Sequence, residues 1–189
     1  MPKIKRNSLV KGASGNYRRE FVYKNRGDKT FFGGMPNVDP KRPRTPKEKA
    51  FRQNSISAIA YAKACIADPL RKAFYQKKVK NGNTAYNVAF ADFQKKPYVE
   101  EIDMGEYTGA PGSKVLILAF DDCEVTEVKV SITSAAGVLI EEGLGVVDND
   151  LGGKWVYTAT QNNPALPGTK IRATCKDRPK HEGFKEVIL

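Results

Sequence analysis

Lysine and arginine crowd the first half of this 189-residue chain and are interleaved with aromatic residues. That is the combination with which proteins hold polyanions. Cationic side chains displace counterions from phosphates, and exposed rings stack on unpaired bases. The candidate polyanion-binding residues are Lys3, Lys5, Arg6, Arg18, Arg19, Lys24, Arg26, Lys29, Lys41, Arg42 and Arg44, followed by Arg71, Lys72, Lys77, Lys78 and Lys80. Tyr17, Tyr23, Phe31 and Phe32 are the candidate stacking rings. Through Pro97 there are 23 Lys+Arg against 6 Asp+Glu, or +17; from Tyr98 onward there are 9 against 15, or −6. The overall +11 therefore joins two pieces of opposite sign. Two other partners suit the same pattern. One is an acidic protein surface, with the rings as the packing face of a ribbon. The other is a neighbouring copy of the chain, through attraction between the oppositely charged halves, screened by salt.

Other chemistry is thinly represented. His181 is the single histidine, so a His-based metal site or triad has little to work with. Gly143-Leu144-Gly145 begins like a dinucleotide fingerprint, but Asp148 stands where its third glycine belongs and no helix pattern follows. Gly27-Asp28-Lys29-Thr30 has the tail of a phosphate loop without its upstream glycine, and Arg26-Gly27-Asp28 reads as a hairpin turn. Asp121-Asp122, Asp148-Asn149-Asp150 and Asp177 are oxygen-rich enough to suggest calcium, yet no full ligand motif is present and turn chemistry is the expectation. Cys65, Cys123 and Cys175 are far apart, with no C-x-x-C pair. A non-enzymatic protein without cofactor or metal is expected.

The elements that would carry these residues can be read from pattern. Residues 1–16 read as a basic arm, followed by a hairpin of Glu20–Lys24 and Lys29–Phe32 around Asn25–Asp28. Pro36, Pro40, Pro43 and Pro46 mark an extended connector. Thr45-Pro46-Lys47-Glu48 is a capping box that starts a helix with Phe51, Ala58, Ile59, Ala62, Cys65 and Ile66 on its apolar face. Asp68-Pro69 starts a second helix, apolar at Leu70, Ala73 and Phe74. Thr84 starts a third, striped by Tyr86, Ala89, Phe90 and Phe93. Beyond Gly112 the period changes to two. Strand candidates are Lys114–Phe120, Val125–Thr133, Val138–Glu142, Leu144–Val147, Lys154–Thr160, Thr169–Lys176 and Phe184–Leu189. Six or seven short alternating strands in about 80 residues is the pattern of a β-sandwich.

The last of these stretches resembles bacterial immunoglobulin-like domains. The likeness rests on Leu118-Ala-Phe-Asp121-Asp122, Val125–Ile132 with a turn at Gly137, Trp155-Val-Tyr157-Thr-Ala159 and Ile171–Asp177. It implies a binding or spacing module without chemistry of its own. Cys123, Trp155 and Cys175 follow the Cys-Trp-Cys order of antibody domains, but Cys123 lies in a turn and the tryptophan comes late, so two free thiols are expected. The first half is similar to an uncharacterised bacterial family of small basic proteins. Here the carrying residues are Gly15-Asn-Tyr17, Val22-Tyr23, Arg26-Gly27-Asp-Lys29-Thr30 and Pro46-Lys-Glu-Lys-Ala50. That likeness brings no established activity with it.

Together these features predict an α+β chain of two modules: residues 1–97 as basic arm, hairpin and about three short helices, 98–112 as linker, and 113–189 as an immunoglobulin-like β-sandwich. The longest strongly apolar run, Val115–Phe120, is too short for a membrane span, and the basic start lacks the apolar core of a signal peptide. An unexported, cytoplasmic protein is expected, either free or within a phage-like particle. Nucleic-acid binding is the leading expectation; a structural subunit of a phage-like or filamentous assembly is the alternative.

Overall fold

Four antiparallel strands open the fold: β1 (Lys3–Ile4), β2 (Gly15–Tyr17), β3 (Phe21–Arg26) and β4 (Lys29–Gly34), in the order β1-β4-β3-β2. The structure, a computed structural model, describes residues 3–4, 13–18, 20–26, 29–35, 39, 41–80, 82–148 and 154–189, with 3, 4 and 26 described by their backbone alone. The expected hairpin is the β3–β4 pair. Segments of the expected arm supply the other two strands, Tyr17 pairing with Phe21 on one side and Lys3 with Phe31 on the other. Two strands alone are marginal in water, and the added edges give the ribbon its width. Among the described residues of Met1–Arg52 only Thr30 is buried.

Three helices follow: α1 (Pro46–Ala67), α2 (Pro69–Lys77) and α3 (Ala85–Gln94). The capping box forms as read, the Glu48 N–H donating to Thr45 Oγ1 and the Thr45 N–H to Glu48 Oε2 at 2.9 Å. Asp68 caps α2 by accepting from the Leu70 and Arg71 amides, and Thr84 caps α3. Two apolar stripes differ from expectation. In α1 it is Ala58, Ala62 and Cys65 that are buried, whereas Phe51 is 68% exposed. In α2 Leu70 is 84% exposed and Tyr75 is the buried residue. The reason is polar: the Tyr75 hydroxyl donates to Asp92 Oδ2 of α3 at 2.6 Å and lies 2.7 Å from the Tyr61 hydroxyl of α1. That chain of hydroxyls and carboxylate sets the rotation of α2.

Eight strands complete the fold: β5 (Tyr98–Asp103), β6 (Lys114–Phe120), β7 (Val125–Thr133), β8 (Leu139–Leu144), β9 (Val146–Asp148), β10 (Lys154–Thr158), β11 (Lys170–Asp177) and β12 (Glu182–Ile188). They form two antiparallel sheets, β5-β6-β10-β9 and β12-β11-β7-β8. Inward residues of both build one core: Val115 and Ile117 of β6, Val128, Val130 and Ile132 of β7, Tyr157 of β10, and Ile171, Ala173 and Cys175 of β11. Burying each Val or Ile contributes roughly 1.5–3 kcal/mol, so this core is the main source of stability. Cys65, Cys123 and Cys175 are all free thiols.

Residues 98–103, expected as linker, are strand β5, paired antiparallel with β6. A register shift between Val99 and Glu101 lets Val99 and Ile102, three positions apart, both face the core. The division of the chain differs as well. Its two compact units are Met1–Arg52 and Gln53–Leu189, so the boundary falls inside α1, and the helices belong with the sheets. The seam between them is well made. Lys78 Nζ donates to the Cys123 carbonyl at 3.0 Å, Lys95 pairs with Asp122, and the Arg178 guanidinium lies 3.7 Å over the Phe74 ring. Phe93 meets the His181 ring edge-on at 4.7 Å. Gly183 is required here, because a Cβ would stand 1.9 Å from the Pro97 carbonyl oxygen. No helix among the described residues is long and apolar enough to cross a membrane.

Burial raises the Asp92 carboxyl above its usual range, against the lowering effect of the Tyr75 hydroxyl. The folded state therefore holds a proton that the unfolded chain releases near pH 3.9. Stability should fall as pH rises from there through the raised folded value. Asp177 is raised by burial in the same direction, opposed by His181. Asp92→Asn keeps an acceptor for Tyr75 and should flatten the decline, read as urea midpoints across a pH series beginning near 4.

Candidate polyanion interface

Net charge divides between the structural units differently from the way it divides between the sequence halves. Met1–Arg52 holds 15 Lys+Arg and 4 Asp+Glu, a net +11, while Gln53–Leu189 holds 17 of each and nets zero. Within the second unit, residues 53–97 carry +6 (8 against 2) and residues 98–189 carry −6 (9 against 15). The helices are the basic part, and they pack on the acidic sheet end through Lys78 and Lys95. Attraction between opposite charges thus operates inside one chain. All of the uncompensated charge lies in the unit that contains the ribbon.

The ribbon sorts its residues between two faces. Residues directly opposite each other across antiparallel strands share a face. Tyr17 pairs with Phe21, and Tyr23 with Phe32. These rings gather on one face: Phe21 stacks on Phe32 with centroids 5.0 Å apart, and Tyr23 lies 5.2 Å from Phe32. Thr30 closes this face, its hydroxyl donating to Asn25 Oδ1 at 2.8 Å. Lys24 pairs with Phe31, which also pairs with Lys3, and Lys29 pairs with Arg26. The opposite face therefore carries Lys24, Lys29 and Phe31. Of the four candidate stacking rings, Tyr17, Tyr23 and Phe32 lie on the aromatic face, and Phe31 lies on the face that carries Lys24 and Lys29.

The remaining candidates are dispersed. Lys5, Arg6 and Arg19 lie outside the described residues. Arg18 takes a positive φ of 49° in the β2–β3 turn, with its guanidinium 5.5 Å from the Tyr17 ring. On the connector, the Lys41 amide donates to Asp39, and the Arg42 side chain pairs with Glu48. Glu48 is held below the ordinary carboxylate range by the Thr45 amide and then by Arg42. Arg44, Lys72, Lys77 and Lys80 are exposed. Arg71 pairs with Asp68 at 3.4 Å, and Lys78 is committed to the Cys123 carbonyl. The α2 cations belong to the electrically balanced unit and the ribbon cations to the charged one.

Two polar centres escaped the sequence reading. Asp92 is 1% exposed and joins Tyr75 and Tyr61. Its signal was a carboxylate one turn beyond Ala89 on the buried stripe of α3. Glu141 is buried in β8, where its Oε2 accepts from the Tyr157 hydroxyl, the Thr160 amide and hydroxyl, and the Gln161 amide. In sequence, Glu141 is only part of the strand candidate Val138–Glu142.

The acidic turns are used locally. Asp121 Oδ2 accepts from the Cys123 and Glu124 amides, and Asp177 accepts from the His181 amide at 2.6 Å. Asn149, Asp150, Gly27 and Asp28 lie outside the described residues. Among the described residues no group of His, Cys, Asp and Glu is arranged to hold a metal ion. No family model matches the chain, nor does any curated protein or solved structure.

Proposed function

We propose that this is a non-enzymatic nucleic-acid-binding protein whose basic unit, Met1–Arg52, grips the phosphate backbone. The observation that carries this reading is the concentration of the whole +11 in one small unit beside a balanced larger one. A surface charge that served solubility alone has no reason to be partitioned so completely. Phosphate contacts release counterions, so binding should weaken steeply with salt. Six to eight such contacts give a slope of log K against log salt of roughly −5 to −7. Filter binding of DNA and RNA at two salt concentrations tests this. Salt-dependent retention is expected, and no retention of any nucleic acid at low salt overturns it.

The two-sheet body supports an immunoglobulin-like reading. Lettered in chain order, β5-β6-β10-β9 becomes A-B-E-D and β12-β11-β7-β8 becomes G-F-C-C′, the strand arrangement of that fold. The antibody hallmarks are missing: Trp155 is on the E-like strand, and Cys175 on the F-like strand is unpaired. Such a body serves as a protein-facing spacer, working in the cytoplasm or within a phage-like particle. One observation favours the alternative of an assembly subunit. Strands β8 and β9 are sheet edges, and Leu139, Leu144 and Val146 on them are well exposed. Exposed apolar edges are places where further strands add. Light scattering over a concentration series tests this: growth in mass supports it, and a constant monomer mass contradicts self-assembly.

A further inference from the structure

The two faces of the ribbon differ in what their rings are doing. Phe21, Tyr23 and Phe32 lie against one another, so their faces are engaged within the protein. Phe31 makes no ring–ring contact among the described residues, and it is only partly buried. In register it stands between Lys3 of β1 and Lys24 of β3, with Lys29 two residues along its own strand. Neither Lys24 nor Lys29 has an ion-pair partner among the described residues. An aromatic without a ring contact, flanked by cations without an ion-pair partner among the described residues, is a platform for an unpaired base with its phosphates on either side. A paired base inside a duplex presents only its edge, and cannot lie flat on a ring held in a sheet. We infer that the Lys24–Phe31–Lys29 face binds single-stranded nucleic acid, with a base stacked on Phe31; this rests on the polyanion reading above and specifies its substrate.

The opposite face then has a different task. There Phe21 and Tyr23 each pack on Phe32 and hold the strands in register, so these three are poor candidates for stacking, while Tyr17, on edge strand β2, is exposed beside Arg18. Phe31 and Tyr23, one on each face, therefore separate the two roles.

The test is fluorescence anisotropy of the full chain with a labelled single-stranded oligonucleotide, competed by the duplex of the same sequence and by heparin. Single strands should bind more tightly than duplex. Phe31→Leu should weaken single-strand binding about tenfold, the loss of one base–ring stack, and leave duplex and heparin binding unchanged. Phe31→Tyr, which keeps the ring, should retain single-strand affinity. Equal affinity for the three ligands, an unaltered single-strand affinity in Phe31→Leu, or a parallel loss of all three in that variant overturns the inference while polyanion binding stands. Failure of the wild-type chain to bind any of the three overturns both.

Discussion

Glu141→Ala should lower the stability of the chain by about 3–5 kcal/mol, from stranded hydrogen-bond donors, a large effect for one residue of the two-sheet body. The side chain is 7% exposed, and one oxygen receives four donors from β10 and the segment after it. Truncation removes all four acceptor contacts at once. It leaves the buried Tyr157 hydroxyl and the Thr160 and Gln161 amides to face one another without a partner, and each stranded donor costs about 1–3 kcal/mol. Part of that is recovered where water reaches Thr160 and Gln161, and for this reason the expected loss is below the simple sum. Glu141→Gln is the informative contrast. The carbonyl oxygen of glutamine can keep the four donors, while its amide nitrogen takes the buried Oε1 position, where no acceptor stands. That variant should lose the added strength of charged over neutral acceptance and the cost of an unpaired amide N–H, about 1–3 kcal/mol together and less than the alanine variant. Urea unfolding of both variants against the wild type checks the pair of values. Equal losses for Ala and Gln would show that charge, and not acceptance, is what this site supplies.

Lys24→Gln with Lys29→Gln should have the largest effect on binding. Each phosphate contact contributes roughly one unit of salt slope, so the double variant should shift the slope by about 2 toward zero. At about 0.1 M salt that corresponds to a loss of roughly 10- to 100-fold in affinity. The matching change on α2, Lys72→Gln with Lys77→Gln, removes the same charge from the unit that nets zero. It should alter the slope much less. Salt titrations of the two double variants check this, and equal effects would mean that net charge alone, wherever it sits, drives binding. Glutamine keeps a polar, uncharged side chain at these exposed positions, so neither pair should disturb folding.

What the sequence made legible was whatever a short periodic pattern can carry. Val128, Val130 and Ile132 alternate with Glu127, Lys129 and Ser131, and β7 forms where that alternation lies. Thr45 and Glu48 announce the start of α1, and the cap forms with those two side chains. Pattern failed where a tertiary partner overrode it. Strand β5 hides because its bulge spaces Val99 and Ile102 three apart, and Glu100 and Glu101 between them look like solvated linker. Apolarity alone turns α2 toward Leu70, whereas the hydrogen bond from Tyr75 to Asp92 decides which side is buried. Phe51 sits at the right spacing for the apolar face of α1, but the buried part of that helix begins only at Ala58.

The candidate site was half legible. Composition alone identified the basic and aromatic residues of the ribbon, since a charge excess needs no structure to be seen. Their distribution between faces needed the register, which places Tyr23 with Phe32 on one side and Lys24 with Phe31 on the other. The charge boundary also moved. The stretch up to Pro97 includes helices whose +6 cancels the −6 of the sheets they pack on. Only the fold shows which lysines are offset within the chain.

Mapping amide chemical shifts during titration with a single-stranded oligonucleotide tests the central claim most directly, because it reports where on the intact chain the polyanion sits. The expected shifts fall on β3 and β4, largest around Lys24, Lys29 and Phe31, and fade as salt is raised. Shifts centred on α2 or on the outer face of β7, β11 and β12, with the ribbon unmoved, would contradict it.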